Sequence, residues 1–294
     1  MTVFKSGFIA ISGAPNAGKS TLLNRMIGQK ISITSRKPQT TRNRILGVVH
    51  GPSSQIVFID TPGIHNTKSP LNVRMVDVAI SAFGDADLIL VLVDASRPDP
   101  ASEELIIRQL GKQNQPVILA LNKIDLVKKP VILEIIDKWA GIFQFESIIP
   151  VSAKHGTQVS ELLSAMKHCL PEGPAFFPEE TLTDLPERFI AAEIIREKVF
   201  RLTGQEVPYA TAVTIDSFFE EKNGLVKISA VIHIERDSQK GIIIGKKGSK
   251  LKEIGEQSRK DIETMMGAKV FLKLFVRVQK NWSRDTKAIR KFGY

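Results

Sequence analysis

The sequence predicts an α/β protein: a doubly wound, mixed but mostly parallel sheet covered by helices, followed by a smaller α+β domain. Three observations carry that expectation. Up to about residue 170, β-rich apolar runs at 8–12, 45–49, 56–59, 88–93, 117–121 and 148–151 alternate with helix-length segments at 71–82, 102–110, 131–139 and 159–170. Such alternation stacks strands side by side with helices laid over the sheet. Next, Pro171, Pro174, Pro178 and Pro186 punctuate an acidic stretch with Glu179, Glu180, Asp184 and Glu187, the composition of a linker. Beyond it the order becomes a helix at 188–202, strands at 210–215 and 226–234 around an Asn223-Gly224 turn, a glycine-bounded loop between two helices, and a closing strand at 269–278. The expected division is 1–170, a linker at 171–187, and 188–294 with a basic tail.

With 294 residues, 43% hydrophobic and 24% charged, the chain can bury two cores. No run approaches the roughly 18–20 apolar residues of a membrane span, and the N-terminus lacks the apolar core of a signal peptide. The single cysteine, Cys169, falls at a half-buried helix position and has no internal disulfide partner. A cytoplasmic monomer is expected.

The first strand leads into Gly13-Ala14-Pro15-Asn16-Ala17-Gly18-Lys19-Ser20, and a helix pattern opens with Thr21. The glycines let backbone N–H groups turn inward around phosphate oxygens, Lys19 adds a point charge, and the Ser20 hydroxyl is placed to ligate Mg²⁺. Asp60-Thr61-Pro62-Gly63 leaves the carboxyl end of the 56–59 strand, so Asp60 can reach Mg²⁺ through water and the Gly63 amide can approach a γ-phosphate. The strand at 117–121 ends in Asn122-Lys123-Ile124-Asp125. Its Asp125 carboxylate can accept from N1 and the exocyclic amine of guanine, a donor pair that adenine lacks. Asn122 and the Lys123 stem brace that loop and cover the base. Ser152-Ala153-Lys154 follows the 148–151 strand, where the Ala153 amide can bond to guanine O6. The polar segment Arg36-Lys37-Pro38-Gln39-Thr40-Thr41-Arg42 reads as a loop whose threonine closes on Mg²⁺ and γ-phosphate, Thr41 ahead of Thr40.

These five segments, in this order, resemble the GTPases of the translation-factor and Ras superclass. The resemblance implies binding of GTP and GDP with Mg²⁺, and hydrolysis, with Lys19, Thr41, Gly63 and Asn16 in the catalytic set and Ser20, Thr41 and Asp60 around the metal. Ile64 stands where Ras-like members place a water-orienting glutamine, so slow intrinsic turnover is expected. The Pro-Asn-x-Gly-Lys-Ser form of the loop is similar to that of GTPases in which the asparagine, here Asn16, helps hold K⁺ beside the phosphates.

Charge is uneven. Of a net +10, residues 1–170 carry +6, 171–237 carry −6 and 238–294 carry +10, which selects for a phosphate-backbone ligand in the last segment. There Gly245-Lys246-Lys247-Gly248, with Lys250 beyond it, forms a Gly-x-x-Gly loop able to clamp a nucleic-acid backbone. Trp282, between Lys280 and Arg284, offers a stacking surface. The element order resembles a type II KH domain, which implies single-stranded RNA. Taken over the whole length, including the Thr-Ser-Arg-Lys-Pro-Gln-Thr-Thr-Arg and Gly-Lys-Lys-Gly segments, the chain resembles the bacterial Era family. That resemblance implies binding near the 3′ end of 16S rRNA during maturation of the small (30S) ribosomal subunit, with peripheral association to the inner face of the membrane. Two other readings stand beside it: a KH module with a structural nucleotide site, and a membrane-surface GTPase that sets its basic end on anionic lipid.

Overall fold

A computed structural model describes residues 3–35, 37, 40–67, 69–204 and 207–294. Arg36, Pro38 and Gln39 of the expected threonine loop lie outside the described residues. The chain divides into two compact units. One holds Met1–Ser32, Thr41–Lys68 and Asn72–Asp184, the other Ile33–Thr40, Ser69–Leu71 and Leu185–Tyr294.

In the first unit the strands are β1 (Lys5–Gly13), β2 (Ile45–Gly51), β3 (Ser54–Asp60), β4 (Leu88–Asp94), β5 (Val117–Asn122) and β6 (Ser147–Val151). They form one sheet in the order β2-β3-β1-β4-β5-β6. Only β2 runs antiparallel to its neighbour, so the sheet is mixed but mostly parallel. Central strands buried on both faces require unbroken apolar runs, and Leu88 to Val93 of β4 are each no more than 4% exposed. Helices α1 (Lys19–Ile27), α2 (Pro70–Gly84), α3 (Pro100–Leu110), α4 (Lys129–Ala140) and α5 (Val159–Cys169) alternate with the strands. Phe83 of α2, Ile106 and Leu110 of α3 and Trp139 of α4 share a core with Ile59, Ile89, Val91, Leu119 and Leu121. The parallel order brings the carboxyl ends of β1, β3, β4, β5 and β6 to one edge, where the loops at 13–18, 60–63, 122–125 and 152–154 emerge.

The segment 171–184 has linker composition but is laid against this unit. Ser6 N donates to Pro171 O, Gly173 N to Phe4 O and Val48 N to Leu182 O. The Gln55 side-chain oxygen accepts from Phe176 N (2.7 Å) and Phe177 N (3.0 Å). One consequence is a covered edge, because β2 is the outermost strand and would otherwise present unpaired backbone groups.

The second unit contains α6 (Glu187–Leu202), β7 (Ala212–Glu220), β8 (Val226–Ile234), α7 (Asp237–Ile244), α8 (Ser249–Met266), β9 (Val270–Val278) and α9 (Thr286–Lys291). Its sheet is β7-β8-β9, with β7 antiparallel and β9 parallel to β8. Gly224 takes φ 78° in the turn after β7, as the Asn-Gly pair anticipates. Ile190, Ile194 and Ile195 of α6 pack with Ile228, Ala230 and Ile232 of β8, Ile243 of α7 and Ile254 and Ile262 of α8. Buried charges on α6 are paired: Arg196 with Glu193 and Lys198 with Asp261 (2.6 Å). That pairing lets a helix with little apolar-face contrast sit in a packed layer.

Candidate functional site

At the start of α1 the N-cap is Gly18, at φ 105°, with no side chain capping the helix. The first-turn N–H groups are thereby left for an anion, which the helix dipole also favours. A Cβ at Gly18 would stand 2.2 Å from Asn122 Nδ2, so the loop requires glycine there. Lys19 is buried; two of its three ammonium donors go to Gly13 O and Ala14 O, 3.0 Å each, which leaves one to face a phosphate. Burial pulls Lys19 down to about 8, against the attraction of Asp60.

Ser20 Oγ lies 2.7 Å from Asp60 Oδ2 and 2.8 Å from Thr41 Oγ1. Burial pushes Asp60 upward, opposed by hydrogen bonds from Ser20 and Ser32 and by the Lys19 charge. Its second oxygen, Oδ1, is buried with no hydrogen-bond partner among the described residues. A hydroxyl pair and a carboxylate with an unsatisfied oxygen, all hard donors, fit Mg²⁺, which would supply the positive charge that the phosphates and Asp60 need. Of the two threonines it is Thr41 that reaches Ser20; Thr40 Oγ1 donates instead to Lys37 O.

The Asp60–Gly63 turn is fixed by Thr61 Oγ1 on Ile11 O (2.8 Å) and by Ile64 N on Gly13 O (3.2 Å). A Cβ at Gly63 would come 2.7 Å from Pro15 N, so the two loops touch through backbone. Pro62 is buried beside it, and Thr21 occupies the first turn of α1. Ile64 is fully buried in the α2–α3 core. Asn16, by contrast, is exposed and holds φ 64°, a left-handed conformation that asparagine tolerates.

Asn122, 1% exposed, ties the loops together. Its Nδ2 donates to Ala17 O (2.7 Å) and its Oδ1 accepts from Ala153 N (3.0 Å). The Ala153 amide, read from sequence as a donor to guanine O6, is thus engaged inside the protein, because a single N–H buried beside a carbonyl-type oxygen takes that partner. Ser152 Oγ donates to Asp125 (2.6 Å) and holds its carboxyl below the ordinary carboxylate range, with His155 and Lys154 adding positive charge. Asp125 is therefore ionised and positioned to accept. Lys123 is paired with Asp94, whose partner in the β4–β5 ladder is the preceding residue, Asn122. Two supports went unread in the sequence. Arg25 of α1 donates to Ala153 O and Lys154 O, and Asn24 ties Ile31 N and Ser32 N to the helix so that Ser32 reaches Asp60. The only sequence signal for either was a polar residue at the end of α1.

In the second unit Gly245 (φ 71°) and Gly248 (φ 80°) bound a turn that exposes Lys246 and Lys247, while Lys250 pairs with Glu253 (2.8 Å). Trp282 corrects the sequence reading. It is 0% exposed, donates through Nε1 to Ala210 O, and lies against Phe292 and Tyr294, so no base can stack on it.

A family model described as a 50S ribosome-binding GTPase matches residues 8–123, and one described as a KH domain matches 206–283. GTPase Era of Geotalea uraniireducens (strain Rf4) is 55% identical over 291 residues, covering 99% of this chain and 98% of the relative. The chain belongs to the Era family of GTPases. GTPase Era of Geobacter sp. (strain M21) is 57% identical over 292 residues, with 99% and 98% coverage. Two solved members of this family superpose with a TM-score of 0.93 at 42% identity, over 99% of both chains. One is an Aquifex aeolicus Era variant bound to GDP·AlF4⁻, the other an Era in complex with MgGDPNP and nucleotides 1506–1542 of 16S ribosomal RNA. As a member of the family the chain is a GTPase that hydrolyses GTP, built from a P-loop GTPase domain followed by a KH domain. Among its described residues no helix is long and apolar enough to cross a membrane.

Proposed function

We propose that the chain is a GTP-driven RNA-binding switch of small-subunit assembly, in which the nucleotide state governs the hold of the KH domain on the 3′ end of 16S rRNA. The observation that carries this reading is the joining, in one chain, of a guanine-selective site to a Gly-x-x-Gly turn whose two central residues are exposed lysines. A relative solved with that RNA at 42% identity over the full length supports the same partner. The basic end is assigned to RNA rather than lipid because a backbone clamp of this form meets phosphodiester oxygens one by one, which a lipid surface does not require.

Within the GTPase domain, Lys19 and the first-turn amides hold the phosphates, Ser20, Thr41 and Asp60 take Mg²⁺, the Gly63 amide meets the γ-phosphate, and Asp125 reads the base. With Ile64 in the core, K⁺ held at Asn16 supplies charge beside the phosphates. Crosslinking the protein to RNA in cells and sequencing the fragments tests the partner. Reads concentrated at the 3′ end of 16S rRNA are expected; reads spread over messenger RNA would overturn it. GTP turnover in K⁺ and Na⁺ at equal ionic strength tests the ion, and equal rates would remove it.

A further inference from the structure

One face of the KH sheet carries a pattern that neither the nucleotide site nor the Gly-x-x-Gly turn uses. Along β9, Leu272, Leu274, Val276 and Val278 pack into the core, while Phe271, Lys273, Phe275 and Arg277 alternate on the opposite, solvent side. Phe271 is 55% exposed and Phe275 45%. Lys273 Nζ stands 5.1 Å over the Phe275 ring. Across the ladder, Phe271 faces Lys227 and Lys227 faces Phe219, itself half exposed. The next row, Ser217, Ser229 and Lys273, is small at two of its three positions and leaves a shallow floor between the rings. At the far end the chain covers its own sheet, with Phe292 4.5 Å from His233 and Val231 2% exposed.

Residues two apart on a strand repeat at about 6.7 Å, so β9 presents aromatic, cation, aromatic, cation in a line. Rings give bases of any identity a π-face, and the interleaved cations meet the phosphates between them. The nearby carboxylates belong to β7 and the turn after it rather than to β9: Asp216 and Glu220 lie on β7, and Glu221 pairs with Lys227. Among the described residues neither Lys273 nor Arg277 is in an ion pair. The strand β9 also carries α8, the helix that follows the Gly-x-x-Gly turn, on its core side.

We propose that the outer face of β9 is a second contact surface for single-stranded RNA, on which bases stack against Phe271 and Phe275 while Lys273 and Arg277 hold the backbone. It rests on the RNA-binding reading above and extends it from a clamp of about four nucleotides to a longer strand that passes around β9.

The test uses the full chain loaded with a non-hydrolysable GTP analogue and 5′-fluorescein-labelled oligopyrimidines of about 4 and about 12 nucleotides, read by anisotropy. The paired substitution Phe271→Ser with Phe275→Ser should weaken the long strand about tenfold and leave the short one and the melting temperature unchanged. The pair Lys246→Glu with Lys247→Glu should weaken both strands. Ultraviolet crosslinking of the wild type to the long strand should place adducts on the 270–278 peptide. Unchanged long-strand affinity in the phenylalanine variant, or crosslinks confined to 245–250, would overturn the second surface while leaving the clamp. Failure of the wild type to bind either strand would overturn the parent reading with it. A phenylalanine variant that changes only sedimentation, from dimer to monomer, would assign the face to a second copy of the chain instead.

Discussion

Replacing Asn122 with alanine should cost nucleotide affinity without touching base choice. The side chain is 1% exposed and makes two hydrogen bonds, donating to Ala17 O at 2.7 Å and accepting from Ala153 N at 3.0 Å. Alanine would leave a buried carbonyl and a buried amide unpaired, at about 1–3 kcal/mol each. Even the low end of the sum, about 2–3 kcal/mol, corresponds to roughly 30- to 150-fold weaker binding if the ordered loops are required for it. Both bonds run to backbone of the phosphate loop and of the 152–154 loop, and neither reaches the base. The loss should therefore be the same for GDP as for inosine diphosphate, which lacks the exocyclic amine. Asp125→Ala should instead remove the difference between those two ligands. Isothermal titration calorimetry in Mg²⁺ with both nucleotides reads each case, with circular dichroism to confirm folding. Affinity within about threefold of wild type, or a loss confined to GDP, would refute the assignment of Asn122 as the tie between the loops.

Two further outcomes follow. Gly63→Ala would place a Cβ 2.7 Å from Pro15 N and 2.8 Å from Pro15 Cα, so the loops must part; single-turnover hydrolysis should fall about 10²-fold while GDP affinity stays near wild type, and unchanged hydrolysis would show that the Gly63 amide does no work. In the KH domain, burial drives His233 down from 6.5 to about 4, the Arg277 and Lys291 charges adding to that and Asp216 opposing it. Its Nε2 meets Thr214 Oγ1 while Nδ1 is buried with no partner among the described residues, so protonation would create an unsatisfied N–H. A lowered folded value means stability is full above pH 6.5 and is lost as pH falls toward 4, by about 1–2 kcal/mol at pH 5. His233→Gln should flatten urea midpoints across that window, and parallel profiles for the two proteins would exclude the histidine as the cause.

How much was legible depended on the distance over which each feature is determined. The strands and helices of the GTPase domain follow from local apolar runs, and β4 is readable because a strand buried on both faces must be apolar throughout. The loop residues proposed to hold phosphate, metal and base stand in short contiguous segments, so spacing alone brings Lys19, Ser20, Thr41, Asp60 and Asn122 to one sheet edge. Features made by single long-range hydrogen bonds were not readable. Nothing in the composition of 171–184 says that Gln55 will take up Phe176 and Phe177, or that Leu182 will cover β2. Trp282 was misread for the same reason: its basic neighbours are local, whereas Ala210, Phe292 and Tyr294, which enclose it, are set by how the C-terminal segment packs.

Position 64 shows how a departure from a pattern acquires a structural meaning. From sequence, Ile64 is only the absence of a polar group where related GTPases orient water. In the folded chain the residue is fully buried among Ala79, Ala82, Phe83 and Ile106. Turning it toward the phosphates would expose an isoleucine, at about 1.5–3 kcal/mol, and open a void in the α2–α3 core. A glutamine placed there would meet the same walls with an amide to satisfy. The site is thus not a Ras-like one with a poor side chain; its backbone course sends this position inward. Next to Pro15, which the Gly63 turn touches, the phosphate loop presents one exposed polar side chain, Asn16. Its left-handed backbone carries the loop past it without burying the amide. The proposed K⁺ at Asn16 rests on this pairing of an inward Ile64 with an outward Asn16, and an Asn16→Ala variant whose GTP turnover is the same as wild type in K⁺ would remove it.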